Sequence, residues 1–132
     1  MAGQNKKDKK YFRPKEIQPK EGNIFYFYYK EIKEDKFAVN LQRKQRHYPL
    51  PTCCSVILTT QKTDILYPGD YLLPKEEARQ ENGKPVKAIA DQVIPIKKSN
   101  IKKIKGMVSK KTLKEIRKRV ADSLGIKYDD IA

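Results

Sequence analysis

The chain has 132 residues, a length that supports one domain with a single modest core. Lys and Arg total 30 against 16 Asp and Glu, which gives a net charge of +14, and 38% of the residues are hydrophobic. No apolar run approaches the roughly 18 residues of a membrane span, and the first 22 residues contain no apolar core of a secretory signal. This composition argues against a membrane protein, and we expect a cytoplasmic one.

The positive charge is concentrated in one stretch. Between Lys97 and Arg119 there are eleven Lys or Arg residues and a single acidic one, Glu115. Such clustering is typical of a surface that binds a phosphate-rich partner, and it favours nucleic acid. Two alternatives are a surface that binds an acidic protein and a surface that is only solvated. Binding to an acidic protein and binding to nucleic acid are compatible with each other.

The N-terminal part differs in composition from the rest of the chain. Residues 1–21 hold seven basic and three acidic residues, two prolines and few large aliphatic side chains. These features are typical of a mobile tail. We therefore predict a basic tail at 1–21 and a folded domain at 22–132.

Three strands are predicted in the first half of the domain. NIFYFYY is rich in aromatic residues, which favour strands. Its period of two places alternate side chains on opposite faces: Ile24, Tyr26 and Tyr28 on one, and Phe25, Phe27 and Tyr29 on the other. KFAVNLQ predicts a second strand and the apolar run TCCSVILTT a central third. Both faces of the first strand should be covered, as in a small closed barrel.

The second half continues with strands that are separated by turns. Pro68–Gly69 marks a turn before DYLLP, and KAIADQVIPI predicts a buried strand whose end is restricted by Pro95. NIKKIKG predicts one short helical turn. Cys53 and Cys54 are adjacent in the third predicted strand and would point to opposite faces, so we expect no structural disulfide.

One full helix is predicted, over residues 109–124. Ser109 is a suitable N-cap, and Gly125 is placed to end the helix. The apolar face would carry Leu113, Ile116, Val120 and Leu124, and the solvated face Lys111, Lys114 and Lys118. The predicted fold is therefore mainly β, with five or so largely antiparallel strands in a curled sheet and a C-terminal helix.

Motifs for nucleotide or metal chemistry are absent from the sequence. It has no glycine-rich phosphate loop, no paired Cys or Cys/His zinc spacing and no HExxH, and its one histidine, His47, excludes a multi-histidine metal site. Polar pairs within apolar strands are the remaining candidates, namely Thr59–Thr60 and Asp91–Gln92. Hydroxyl groups at a strand end often only satisfy local backbone groups. Of Asp91 and Gln92, at most one can point into a barrel.

Five short segments follow one another along the chain: Gly22–Asn23–Ile24, Leu58–Thr59, Pro68 to Leu73, Asp91–Gln92–Val93 and Gly106–Met107–Val108–Ser109. Together they resemble the PemK/MazF family of toxins from bacterial toxin–antitoxin modules, over residues 22 to about 125. The resemblance implies a small SH3-like antiparallel β-barrel with a C-terminal helix, which agrees with the strand pattern. It also implies a homodimer, a cognate antitoxin protein as partner and no cofactor.

The resemblance further implies an activity and a set of site residues. Toxins of this family cleave single-stranded RNA without a metal, by attack of the 2′-hydroxyl on the adjacent phosphate, which leaves a cyclic phosphate and a 5′-hydroxyl. The family's strand-end Thr falls at Thr59, and its Arg, from an Arg-Pro pair that opens the second strand, falls at Lys36. A lysine keeps the charge but lacks the planar fork that matches a phosphate. His47, whose unperturbed pKa suits proton transfer near neutrality, is the third catalytic candidate. RNA-binding candidates are Arg43, Lys44, Arg46, Thr60, Lys62 and Gln92.

The missing arginine leaves a second hypothesis open. The chain could be a noncatalytic module that keeps the barrel and its basic surface and binds RNA, DNA or an acidic antitoxin-like peptide. A third hypothesis, gyrase poisoning as by the fold-related CcdB toxins, has no motif in this sequence that supports it.

Overall fold

A computed structural model describes residues 17–43, 50–78 and 83–127 of the chain. The candidates Lys44, Arg46 and His47 lie outside the described residues. The described residues form six strands: β1 (Asn23–Tyr29), β2 (Glu34–Asn40), β3 (Thr52–Thr59), β4 (Asp70–Leu72), β5 (Lys87–Lys97) and β6 (Ile101–Met107). The same ranges contain two α-helices, α1 (Lys75–Ala78) and α2 (Lys110–Ser123), and a 3₁₀ turn at Lys98–Asn100. The division into a tail and a domain at residue 22 stays a prediction.

The six strands form one antiparallel sheet in the order β4-β5-β3-β2-β1-β6. The predicted class, mainly β with a C-terminal helix, is confirmed. In the described part of the chain the sheet is open, because β4 and β6 lie at its two edges and do not pair with each other. None of the helices in these residues is long and apolar enough to cross a membrane.

The sheet packs on both of its faces, as the aromatic first strand predicted. Ile24 belongs to a core on one face, where Leu113 and Ile116 of α2 cover the sheet. Phe25 and Phe27 belong to a second core on the other face. Alternate residues of β1 therefore serve two separate hydrophobic cores, each of which removes apolar surface from water.

The segment NIKKIKG was wrongly predicted as a helical turn, since it contains most of β6. Ile101 and Ile104 are three residues apart, a spacing that resembles one face of a helix. In the structure they pair with Phe27 and Phe25, which are only two residues apart, because β6 is bulged between them. The bulge keeps both isoleucines on one face, where both contribute to the second core.

The predicted C-terminal helix is confirmed, with Leu113 and Ile116 buried, whereas the prediction that Leu124 lies on its apolar face is wrong, because the helix ends at Ser123 and Leu124 is 66% exposed. Helix α2 begins after Ser109, whose hydroxyl oxygen accepts a hydrogen bond from the backbone N–H of Thr112, and it ends before Gly125, which has φ +74°. The Glu77 carboxylate adds to this cap, because it accepts hydrogen bonds from the Ser109 N–H at 2.6 Å and from the Thr112 hydroxyl at 2.8 Å. A negative group at a helix N-terminus is favourable, so α1 and α2 are tied together at this point.

The two cysteines lie as predicted. Cys53 is buried and Cys54 is exposed, and both are free thiols. Burial raises the pKa of the Cys53 thiol above its ordinary value.

Candidate functional site

A small pocket lies where β2 begins and β3 ends. It has a volume of about 180 Å³ and is lined by Asp35, Lys36, Phe37, Leu58, Thr59, Thr60, Gln61 and Val86. The antiparallel register pairs Phe37 with Leu58, and one further step places Lys36 opposite Thr59. Strand pairing thus brings together a cation and a hydroxyl group that are 23 positions apart in the sequence.

The Thr59 hydroxyl is held by its own loop. Its oxygen accepts a hydrogen bond of 3.1 Å from the backbone N–H of Gln61. Because this bond uses a lone pair, the hydroxyl hydrogen can be donated to another group. Thr59 is half-buried at the end of β3, so it can present a positioned donor to a ligand in the pocket.

The Lys36 ammonium forms an exposed ion pair. Its side chain is 26% exposed, and its nitrogen lies 3.4 Å from a carboxylate oxygen of Glu34, whose own side chain is 63% exposed. An ion pair this exposed is weak and readily exchanged for a stronger anion. A phosphate in the pocket could therefore replace Glu34 as the partner of Lys36.

Asp35 is a pocket residue that the sequence analysis did not select. Its carboxylate accepts a hydrogen bond of 2.9 Å from the Tyr26 hydroxyl and one of 3.0 Å from the Lys102 ammonium. These bonds, Lys102 first, hold the pKa of Asp35 below its ordinary value. The bond to Asp35 in turn raises the pKa of both Tyr26 and Lys102. Asp35 is therefore an ionised group engaged by two donors, which makes it a poor proton acceptor.

The polar pair Asp91–Gln92 sits in a large bulge of β5. Ile89 pairs with Ile57 and Val93 with Val56, which are adjacent in β3, so the three residues of β5 between Ile89 and Val93 have no partner in β3. Both polar side chains are exposed, because the bulge releases them from the regular alternation on which the prediction relied. Gln92 is not among the residues that line the pocket.

The remaining described candidates differ in their positions. Thr60 lines the pocket beside Thr59. Lys62 is exposed in the turn that follows β3 and has φ +52°. Arg43 is exposed beyond the end of β2. Only Thr60 of these three is brought to Lys36 and Thr59.

The basic stretch after β5 is mainly a surface feature. Most of its lysines are exposed, including Lys102, Lys103 and Lys105 of β6 and all those of α2, whereas Lys98 is buried. Arg117 also departs from a free surface, since it donates to the Leu41 carbonyl oxygen at 2.7 Å and pairs with Glu21 at 2.7 Å. Arg119 pairs with Glu115 at 3.2 Å and lies over the Tyr71 ring. Within the described ranges, no group of three His, Cys, Asp or Glu side chains could hold a metal ion.

The fold and the pocket together define a small, mainly β protein with a cation and a hydroxyl group at the meeting point of two strand ends. The chain belongs to the family of PemK-like, MazF-like toxins of type II toxin–antitoxin systems, whose model matches residues 20–124. The family that the sequence motifs indicated is thereby confirmed. A search of curated protein sequences gives no match.

Solved structures share the fold at low sequence identity. An endoribonuclease from Mycobacterial species has a TM-score of 0.68 and 17% identity, with 85% of this chain and 96% of that chain covered. An endoribonuclease in complex with its cognate antitoxin, also from Mycobacterial species, has a TM-score of 0.69 and 17% identity over 84% and 99% of the two chains. The MazE–MazF complex from Deinococcus radiodurans has a TM-score of 0.68 and 16% identity over 84% and 99%. At these identities the likeness establishes the fold.

Proposed function

We propose that the protein is the toxin of a toxin–antitoxin module and that it cleaves single-stranded RNA without a metal. The observation that carries this proposal is the meeting of Lys36 and Thr59 in one pocket. Family membership gives the toxin class, and the pocket supplies a cation and a hydroxyl donor of the kind that phosphate chemistry requires.

The proposed reaction is an internal transesterification of the RNA backbone. The ribose 2′-oxygen loses its proton and bonds to the adjacent phosphorus, the bond from phosphorus to the 5′-oxygen breaks, and that oxygen takes up a proton. Lys36 would offset the negative charge that develops on the phosphate oxygens, and the Thr59 hydroxyl would donate a hydrogen bond to one of them. Preorganised donors of this kind each contribute about 10²–10³ in rate.

Proton transfer and RNA binding are assigned to other residues of the chain. His47 is proposed for proton transfer, because its unperturbed pKa lies near neutrality. Asp35 is less suitable, since its two hydrogen bonds stabilise its ionised form. The RNA-binding proposals remain Arg43, Lys44, Arg46, Thr60, Lys62 and Gln92.

Two protein partners are proposed, a second copy of the chain and a cognate antitoxin. The antitoxin is supported by the structural neighbours that were solved as complexes with their antitoxins. The homodimer rests on the family resemblance and on the length of 132 residues, which is small for an independent binding cleft.

The direct test is to incubate the purified protein with a long single-stranded RNA in EDTA. We expect discrete cuts, whose downstream fragments accept a radiolabel from polynucleotide kinase without phosphatase treatment because they begin with a 5′-hydroxyl. Thr59→Ala should reduce the rate by about 10²–10³, and the matched Thr59→Ser, which keeps the hydroxyl, should retain most of it. Equal rates for wild type and Thr59→Ala would show that the site is wrongly assigned.

A binding module without catalysis is the second candidate, and the lysine at position 36 is the observation that favours it. A lysine cannot contact a phosphate with two parallel hydrogen bonds as an arginine can. In that case the folded protein, free of antitoxin, would bind the same RNA and leave it intact. The cleavage assay together with a binding measurement distinguishes the two.

A further inference from the structure

The face of the sheet that holds Asp35 and Phe37 extends past the pocket to β1 and β6. The register pairs Tyr28 with Asp35 and Tyr26 with Phe37, which places both tyrosines on this face. Helix α2 covers the end of the face near Ile24. Tyr28 remains 37% exposed, so the end nearer the pocket carries solvent-accessible aromatic surface.

Two bulges in β6 add lysines to the same face. Tyr26 pairs with Lys103 and Phe27 with Ile101, so Lys102 is the extra residue of one bulge. The other bulge lies between the pairs Phe25–Ile104 and Ile24–Gly106, and Lys105 is its extra residue. Bulges of this kind redirect a side chain and bend the strand locally.

The redirected lysines lie beside the tyrosine rings. The Lys102 nitrogen is 5.8 Å from the centre of the Tyr26 ring and 5.9 Å from that of Tyr28, and the Lys105 nitrogen is 6.0 Å from that of Tyr26. Lys102 is neutralised by Asp35, whereas Lys105 forms no ion pair with any residue that the structure describes. We call Tyr26, Tyr28, Lys102 and Lys105 the tyrosine–lysine surface.

Two residues, Phe37 and Asp35, connect this surface to the pocket. The Phe37 ring contacts that of Tyr26, with centres 5.1 Å apart, and it also lines the pocket. Asp35 lines the pocket as well and accepts hydrogen bonds from Tyr26 and Lys102. The surface is therefore continuous with the pocket and is held in place by it.

We propose that the tyrosine–lysine surface binds the RNA nucleotides that flank the phosphate in the pocket, with a base stacked on Tyr28 and a backbone phosphate on Lys105. This inference rests on the proposed function for the identity of the ligand. Aromatic rings interleaved with cations are the means by which proteins hold single strands of varied sequence, because every base offers a flat face. Continuity with a pocket suited to phosphate favours RNA over an acidic protein segment.

The test measures binding apart from cleavage. A fluorescein-labelled single-stranded RNA of random sequence, with 2′-O-methyl groups that prevent cleavage, is titrated with protein and followed by fluorescence anisotropy over a range of salt concentrations. Tyr28→Ala should weaken binding by about 5- to 100-fold, the loss of one stacked base, and Tyr28→Phe should bind like the wild type. Lys105→Ala should reduce the slope of log affinity against log salt by about 0.7, as expected for one lost phosphate contact. Lys114→Ala, an exposed lysine of α2, is the matched control and should leave the slope unchanged.

The binding results test the tyrosine–lysine surface whether or not the protein cleaves RNA. If Tyr28→Ala and Lys105→Ala bind RNA like their controls, or if the wild type does not bind at all, the surface is not an RNA site, even if the wild type cleaves RNA. If both variants lose binding to a poly-glutamate peptide and keep binding to RNA, the surface serves an acidic protein, and the proposal is overturned. If RNA binding depends on both residues while the wild type leaves RNA intact, the surface stands and the proposed cleavage fails.

Discussion

The buried ion pair between Lys87 and Asp70 offers the sharpest test of what stabilises this fold. Their side chains are 5% and 4% exposed, and the ammonium nitrogen lies 2.7 Å from the carboxylate oxygen. The ammonium also donates to the Ile65 carbonyl oxygen at 2.9 Å, and the carboxylate accepts from the Tyr67 N–H at 3.0 Å. The pair thus joins β4 and β5 to the loop that leaves the pocket after Thr59.

We predict that Asp70→Asn lowers the free energy of unfolding by about 3–5 kcal/mol, because it leaves a buried ammonium without its counter-charge. This is a large fraction of the roughly 5–15 kcal/mol that stabilises a domain of this kind. Lys87→Met combined with Asp70→Asn removes both charges at nearly constant shape, so the double variant should be more stable than Asp70→Asn alone.

Urea unfolding at neutral pH, followed by far-UV circular dichroism, measures these differences. Asp64→Asn makes the same isosteric change at an exposed position of the same loop and should alter stability by less than about 0.5 kcal/mol. If Asp70→Asn lowers the free energy of unfolding by less than about 1 kcal/mol, water reaches the pair. If the loss in the double variant equals the sum of the losses for Asp70→Asn and Lys87→Met measured separately, the two charges are not coupled.

Three further predictions concern other contacts of the structure. The Asp35 carboxyl should titrate below the ordinary pKa of about 3.9. Because its pKa is lower in the folded state, its contribution to stability is complete above the ordinary value and is lost as pH falls through the folded-state pKa. In a titration followed by ¹³C NMR, Lys102→Ala should raise the pKa of Asp35 back toward the ordinary value. Glu77→Ala should cost about 1–3 kcal/mol in urea unfolding, since it removes three hydrogen bonds to the start of α2, and an equal loss for the neighbouring exposed Glu76→Ala would contradict this. Lys36→Arg restores a planar donor and should raise the rate of RNA cleavage, and a lower rate would mean that the pocket is shaped for lysine.

The strands that alternate regularly could be predicted from the sequence. The aromatic run of β1 and the apolar run of β3 have a period of two and are bounded by turn residues, so local propensity and burial agree. β2 begins at Glu34, two residues earlier than the predicted KFAVNLQ, because Glu34 and Asp35 pair with the exposed end of β1. Helix α2 could be predicted for the same reason as the regular strands, since its cap, apolar face and terminal glycine are all local signals.

The pocket could be predicted only in part. The resemblance indicated Lys36 and Thr59, and strand pairing brings them together. Asp35 was missed because its role depends on Tyr26 and on Lys102, which lies 67 positions further along the chain and reaches it only through the pairing of β6 with β1. A long-range contact of this kind leaves no signal in a local pattern.

Departures from the regular period of two coincide with bulges. In β5, a bulge allows Asp91 and Gln92 both to face solvent within an apolar strand. In β6, two bulges allow the run Ile–Lys–Lys–Ile–Lys, whose isoleucines have the spacing of a helix, to lie in a sheet. Both strands contribute to a core, so a regular alternation would have forced some of these polar side chains inward at a cost of several kcal/mol for each buried charge. Bulges are frequent next to functional sites because they redirect a side chain while preserving the core. The places where the period of two fails are therefore also the places where this sheet exposes carboxylate, amide and ammonium groups.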